Sequence, residues 1–281
     1  MPNLSNNLAS KRPALRWHGG KWKLAPWIVG HFPPHRIYVE PFGGAASVLL
    51  RKARSYAEVY NDLDGDAVNF FRILRDPDSA ARLEELLRLT PFSRLEFEEA
   101  YAPGDDPLER ARCLAIRSFM GFGCRMNQAS RTGFRNNTTR SGTTPAQDWM
   151  GYPDSIPALS ARLQGVVIED RPAIEVMQNH DGRESLHYVD PPYMPETRQD
   201  SCRAVYEHEM SAEDHESLLE TLSGLDGMVA LSGYDSDLYG RLLNGWHLFT
   251  KDTMADRASP RRECLWLNPH AAEKQAQLAL L

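Results

Sequence analysis

Between residues 36 and 75 the chain follows a pattern that few folds accept. Arg36–Glu40 (RIYVE) reads as a short apolar strand, and it runs directly into the turn Pro41-Phe42-Gly43-Gly44. A helical run over Ala45–Ala53 follows, then a second strand over Tyr56–Tyr60 and an amphipathic helix over Asp64–Arg75. Strand, glycine turn, helix, strand and helix in this order open a parallel α/β sheet, because parallel neighbours need a crossover between them. The pattern resumes late in the chain, with strands expected at Gly165–Glu169, Leu186–Val189, Gly227–Ser232, Trp246–Thr250 and Glu263–Leu267. Ser211 with Asp214 three residues on is a capping-box start for a helix over Ala212–Leu222.

The middle reads differently. Ala80–Leu89, Arg94–Tyr101 and Leu108–Phe119 have helical periodicity, and Gly121–Tyr152 is a Gly-, Asn-, Thr-, Ser- and Arg-rich stretch with little periodicity. The expected organisation is a discontinuous α/β domain from residues 1–75 and 160–281, interrupted by a mainly helical insertion at 76–159.

Composition narrows the function. No apolar run approaches the roughly 20 residues that span a bilayer, and the first 17 residues hold no signal-type apolar core. Four scattered cysteines without a CxxC pair read as reduced thiols, and the histidines form no metal-ligand pattern; His208 and His215 read as surface residues. A cytoplasmic protein without a metal is expected. The net charge of −6 is unevenly spread. Arg110 to Gln147 contains seven arginines and no acid, Lys11 to Lys23 five basic residues and no acid, so the remainder carries about −18. That segregation can build a local surface for a polyanion on an acidic body.

The most specific chemistry lies at Asp190-Pro191-Pro192-Tyr193, directly after a strand, where parallel sheets bind ligands. The prolines stiffen the backbone and remove two N–H donors. The carboxylate and a carbonyl can accept the two hydrogens of an NH2 group, and the ring offers a stacking face. Gly43 and Gly44 admit close approach of a ligand to the backbone. Asp62 lies 18 residues beyond Gly44, close to the spacing at which an acid meets a ribose diol. The turn is not G-x-G-x-x-G, which argues against a dehydrogenase. His18-Gly19-Gly20-Lys21 lacks the glycine spacing and Ser/Thr of a phosphate loop.

These pieces together resemble the Dam-type (D12 class, alpha group) DNA adenine-N6 methyltransferases. The tetrapeptide is similar to that family's catalytic motif, Glu40-Pro41-Phe42-Gly43-Gly44 to its glycine motif and Trp17-His18-Gly19-Gly20-Lys21 to its N-terminal cofactor segment. Tyr60-Asn61-Asp62, Leu231-Ser232-Gly233-Tyr234 and Arg262-Glu263 before Trp266 follow in the family's order, so the resemblance spans roughly 11–75 and 160–268. It implies a Rossmann-like S-adenosylmethionine-dependent methyltransferase sheet with a target-recognition insertion. It further implies catalysis by Asp190, Pro191, Pro192 and Tyr193, and cofactor contacts from Trp17, Lys21, Pro41, Phe42, Gly43, Gly44, Asp62, Asp170 and Asp190. Lys21 would reach the cofactor's methionine carboxylate. Asp170 reads equally as a cap before Pro172, whereas Trp17 and Phe42, which could be core aromatics, are placed by their loop positions on the side of cofactor contact.

The expected reaction is site-specific methyl transfer to adenine N6 of double-stranded DNA with base flipping and no obligatory protein partner. Arg117, Arg125, Asn127, Arg131, Arg135, Asn136, Asn137 and Arg140 are the expected DNA contacts. The Val-Pro-Phe-Gly core of family members that read GATC is absent, which leaves the recognised sequence open. Cytosine N4, an RNA adenine, or DNA binding without turnover are the alternative readings.

Overall fold

The structure, a computed structural model, describes residues 12–122, 131–139, 142–194, 197, 208–254 and 260–278. Nine strands are assigned among them: β1 (Ile37–Glu40), β2 (Ala57–Asn61), β3 (Gly121–Phe122), β4 (Gly133–Phe134), β5 (Val166–Glu169), β6 (Ser185–Val189), β7 (Met228–Gly233), β8 (His247–Met254) and β9 (Pro260–Leu267). Seven form one sheet in the order β5-β2-β1-β6-β7-β9-β8, while β3 and β4 pair with each other. Pairs from β5 to β7 are parallel, and β9 runs antiparallel to both its neighbours. This mostly parallel sheet flanked by helices agrees with the expected Rossmann-like architecture. Every residue of β6 is buried, as expected of a central parallel strand covered on both faces.

The helices are α1 (Ala25–Val29), α2 (Gly65–Arg75), α3 (Pro77–Leu89), α4 (Arg94–Glu99), α5 (Pro107–Met120), α6 (Pro145–Met150), α7 (Ile156–Leu163), α8 (Ala173–Asn179), α9 (Ala212–Ser223), α10 (Asp237–Leu242) and α11 (Pro269–Leu278). Their starts are chemically marked. Asp64, Asp76 and Asp106 accept backbone N–H bonds at the N-termini of α2, α3 and α5, and Ser211 with Asp214 closes the expected capping box on α9.

Two local expectations fail. Residues 45–51 are a chain of turns rather than the expected α-helix; Ala46 N bonds to Gly43 O, Leu50 N to Ala46 O and Arg51 N to Val48 O. Gly44 at φ +47° and Ala46 at φ +52° lie in the left-handed region, which breaks the α-helical ladder as it starts. The stretch read as aperiodic contains α6, whose Thr144–Gln147 capping box and Pro145 are the sequence signals for it. The short helices α1, α7, α8 and α10, and α11, lie outside the helical runs expected from the sequence.

The sheet order creates the site. The chain builds β1, β2 and β5 outward on one side, then returns to lay β6 against the other side of β1. Strand ends diverge at such a reversal, and β1 and β6 both point their carboxyl ends into it. The middle helices shape it too: α5 packs on α2, α3 and α7 flank it, and their buried side chains join Tyr60, Phe70 and Phe71 in one core. Ser118 of α5 exchanges hydrogen bonds with the backbone of Arg16, and Tyr152 donates to Ala14 O, which hold the segment leading to Trp17.

Candidate active site

A cavity of about 600 Å³ opens at the reversal, a size typical of small-molecule sites. Its wall takes residues from the 17–21 segment, the glycine turn after β1, Asp62 after β2, and Asp190 and Pro192 after β6. Pro172 and Ile174 supply an apolar side, and His208, Met210 and Leu218 another.

The glycine turn is sterically demanded. A Cβ on Gly43 would lie 2.1 Å from the ring of Tyr60, and one on Gly44 2.7 Å from Trp17 Nε1. Gly43 N donates to Asn61 O at 2.8 Å, Gly44 N to Asp62 Oδ2 at 2.7 Å, and Tyr60 OH to Gly44 O at 2.8 Å. A carboxylate of the chain itself therefore takes the N–H that a phosphate loop would offer its anion. Asp64 N donates to the other oxygen of Asp62, and burial pushes the Asp62 carboxyl up to about 6. Asn61 ties three strand ends together, donating to the carbonyls of Pro41 and Arg171 and accepting from Arg171 N.

At the end of β6, Asp190 Oδ1 lies 2.9 Å from the Lys21 ammonium, which also donates to Gly19 O at 2.8 Å and sits 4.6 Å from the Tyr193 ring centroid. Burial raises the Asp190 carboxyl, while Lys21 beside it opposes the rise. Tyr193 donates its hydroxyl to Glu263 Oε2 at 3.1 Å and meets Tyr234 edge-on at 4.6 Å. Pro191 is buried and Pro192 half-buried at the cavity.

The cavity thus gathers Trp17, Lys21, Pro41, Phe42, Gly43, Gly44, Asp62 and Asp190. Asp170 is not among them: it is exposed, and the chain after β5 reaches the wall only at Pro172. His215, read as a surface residue, is fully buried with Nδ1 3.0 Å from the Tyr239 hydroxyl, whereas His208 is exposed beside the cavity. Glu40 joins the site without having been among the expected site residues. It is buried in the wall, its Oε2 accepts from Tyr38 OH at 2.7 Å and Leu49 N at 2.9 Å, and burial pushes its carboxyl up to about 8. An acid ending an otherwise apolar strand was the available signal.

The arginine-rich stretch divides. Arg117 is 5 % exposed, pairs with Asp66 Oδ2 at 2.7 Å and donates to Ala100 O, so it is a core arginine and does not face a polyanion. Arg110 also pairs with Asp66, and Arg112 with Glu96 and Glu109. Arg135 is half-buried and donates to Phe119 O. Arg131, Asn136 and Asn137 are exposed, Arg131 near the Tyr101 ring and Asn137 capping Thr139. Arg125, Asn127 and Arg140 lie outside the described residues. Arg117→Ala is therefore expected to cost about 3 kcal/mol of stability, since a buried pair loses one partner, and to leave DNA affinity near wild type. Arg131→Ala should do the reverse. Denaturant titration beside DNA titration checks both, and a stable Arg117→Ala protein with weakened DNA binding would contradict the core assignment.

Comparison with known proteins agrees with this geometry. The family model of D12 class N6 adenine-specific DNA methyltransferases matches residues 17–255. The chain is 24 % identical over 225 residues to a DNA adenine methylase of Escherichia coli K12, with 78 % of each chain covered. It is 25 % identical over 195 residues to one of Vibrio cholerae, with 67 % of each covered. A type II methyltransferase of Methanocaldococcus jannaschii is 22 % identical over 262 residues, covering 84 % of this chain and 89 % of its own. With a family match whose span takes in the glycine turn and the Asp190 tetrapeptide alike, the chain belongs to the D12 class N6 adenine-specific DNA methyltransferase family and is an enzyme that methylates adenine in DNA.

Proposed function

We propose that the methyl donor is S-adenosylmethionine and that the acceptor is N6 of an adenine flipped out of double-stranded DNA. The observation that carries this reading is the placement of Asp190: a half-buried carboxyl in the wall of a nucleoside-sized cavity, which also takes in a glycine turn and the acid at the end of β2. The cavity's residues fit the donor. Gly43 and Gly44, which admit no side chain against Tyr60 and Trp17, keep that stretch of the wall bare backbone, Trp17 and Phe42 provide flat walls, and Asp62 keeps lone pairs beyond its two backbone bonds for a ribose diol. Asp62 and Asp190 in the wall suit a ligand carrying positive charge. When bound, S-adenosylmethionine supplies an electrophilic methyl group on a sulfonium.

Adenine N6 is a weak nucleophile because its lone pair is delocalised into the ring. The Asp190 carboxylate and the Pro191 carbonyl would accept its two hydrogens and localise that lone pair toward the methyl, while Tyr193 stacks on the base. Positioning and electrostatics then carry the reaction without a covalent enzyme intermediate. Lys21 would keep Asp190 charged and stand ready for the donor's carboxylate. A stacked base cannot bring N6 to Asp190 at the sheet's edge, hence base flipping. Residues 76–159 would read the target, with Arg131 and Asn136 on the exposed face.

Labelled methyl transfer to unmethylated genomic DNA, with mass spectrometry of nucleosides and sequencing of modified positions, tests the proposal. N6-methyladenine in a short defined context is expected. Cofactor binding without a DNA product would overturn it.

A further inference from the structure

The hydroxyl of Tyr193 finds its acceptor in β9, 70 residues later in the chain. Glu263 sits on the antiparallel strand wedged between β7 and β8, where Cα of Cys264 is in register with Gly233 of β7. That register brings the residue after β7, Tyr234, to the same place. Its ring meets Tyr193 edge-on at 4.6 Å and 72°, and its hydroxyl accepts from Arg261 Nη1 at 2.9 Å. Arg261 and Glu263 are two residues apart on β9 and so lie on one face of it. One strand thereby holds both tyrosines, Tyr193 directly and its neighbour through Arg261.

Two carboxyl groups neighbour the phenol: Glu263 accepts its hydrogen, and Asp190 shares the Lys21 ammonium with the Tyr193 ring. Asp190 is close enough for Tyr193 to bias it toward the charged form, yet the hydroxyl donates to Glu263. A tyrosine has one hydroxyl hydrogen to give. Given to Glu263, it leaves the Asp190 lone pairs for other donors and fixes the ring by a bond to its para position.

We infer that Glu263 is a positioning residue for methyl transfer, which holds the Tyr193 ring in its stacking orientation and keeps the Tyr193 hydroxyl from occupying Asp190. The inference rests on the reading of Asp190–Tyr193 as the catalytic segment. A glutamate that only satisfies a buried phenol would contribute to stability alone. Glu263 as inferred contributes to the rate of transfer, and only while the Tyr193 hydroxyl is present.

The test is a double-mutant cycle read by single-turnover methyl transfer to unmethylated genomic DNA at saturating S-adenosylmethionine, with cofactor affinity and melting temperature measured on each protein. Glu263→Ala is expected to slow transfer about tenfold, the effect of one charge-assisted hydrogen bond, with cofactor affinity unchanged within about twofold. Glu263→Gln retains an acceptor and should restore most of the rate, and it carries the test if the alanine variant folds poorly. Tyr193→Phe should slow transfer no more than Glu263→Ala, since it loses the anchor but leaves no hydroxyl to occupy Asp190, and the double variant should match Tyr193→Phe. If Glu263→Ala costs a further tenfold in the Tyr193→Phe background, Glu263 does not act through Tyr193 and the inference falls. If Tyr193→Ala transfers methyl at the wild-type rate, the catalytic reading itself falls, which is a separate result.

Discussion

Replacing Asp190 and Tyr193 together by alanine is expected to abolish methyl transfer, a loss of at least about 10³-fold, in a protein that still folds and binds cofactor. The size follows from removing the acceptor that localises the N6 lone pair together with the ring that orients the base, since a single preorganised electrostatic partner is commonly worth about 10²–10³ in rate. Folding should survive because both residues follow the end of β6 and are only half-buried, Asp190 in the cavity wall and Tyr193 beyond it, so neither belongs to the sheet's packed faces. Lys21 loses its ion pair but keeps its bond to Gly19 O. Incorporation of labelled methyl into DNA measures the first outcome, and calorimetric cofactor titration with thermal melting measures the second. Asp190→Asn is the companion variant, preserving shape while halving the acceptor capacity. Activity retained in the double variant would remove Asp190–Tyr193 from the mechanism.

Gly43→Ala should be the most disruptive single methyl addition at the site. The new Cβ would lie 2.1, 2.4 and 2.8 Å from three ring atoms of Tyr60. That ring has nowhere to go: it is fully buried, packs against Phe71 at 4.7 Å, and donates its hydroxyl to Gly44 O. The turn must therefore move, and with it the Gly43 N to Asn61 O bond and the bond that holds Asp62. Overpacking of this kind costs about 1–3 kcal/mol, and displacement of the turn should weaken cofactor binding at least about tenfold. Gly65→Ala is the matched control: a Cβ there meets nothing within 4 Å, at the first residue of α2. It should leave cofactor affinity unchanged and stability the same or slightly higher. Equal effects from the two substitutions would show that the glycine turn does not set the cavity's shape.

The features legible in the sequence were the local ones. Apolar runs of strand length, the Pro41–Gly44 turn, the Ser211–Asp214 capping box and the Asp190 tetrapeptide each express themselves over a few neighbouring residues. Their order along the chain then implies parallel strands and a reversal, and so the edge at which a ligand sits. Even the buried role of Arg117 left a mark, since it alone interrupts the apolar and small-residue run Cys113–Met120 with a charge. The seven-arginine count concealed it, because a count records charges without their partners.

What only the tertiary structure decided were pairings between residues far apart in the chain. Lys21 with Asp190, Tyr193 with Glu263 and Asp66 with Arg117 join separate elements, and nothing in the spacing of either partner announces the other. The same holds for Asp170, which sits one residue past a strand as Asp62 and Asp190 do but is exposed, because β5 is the edge strand, away from the reversal. Sequence specifies which groups can form strong polar contacts. Which of them become buried together, where water no longer competes and an unpaired group is costly, is set by the packing of the sheet and helices.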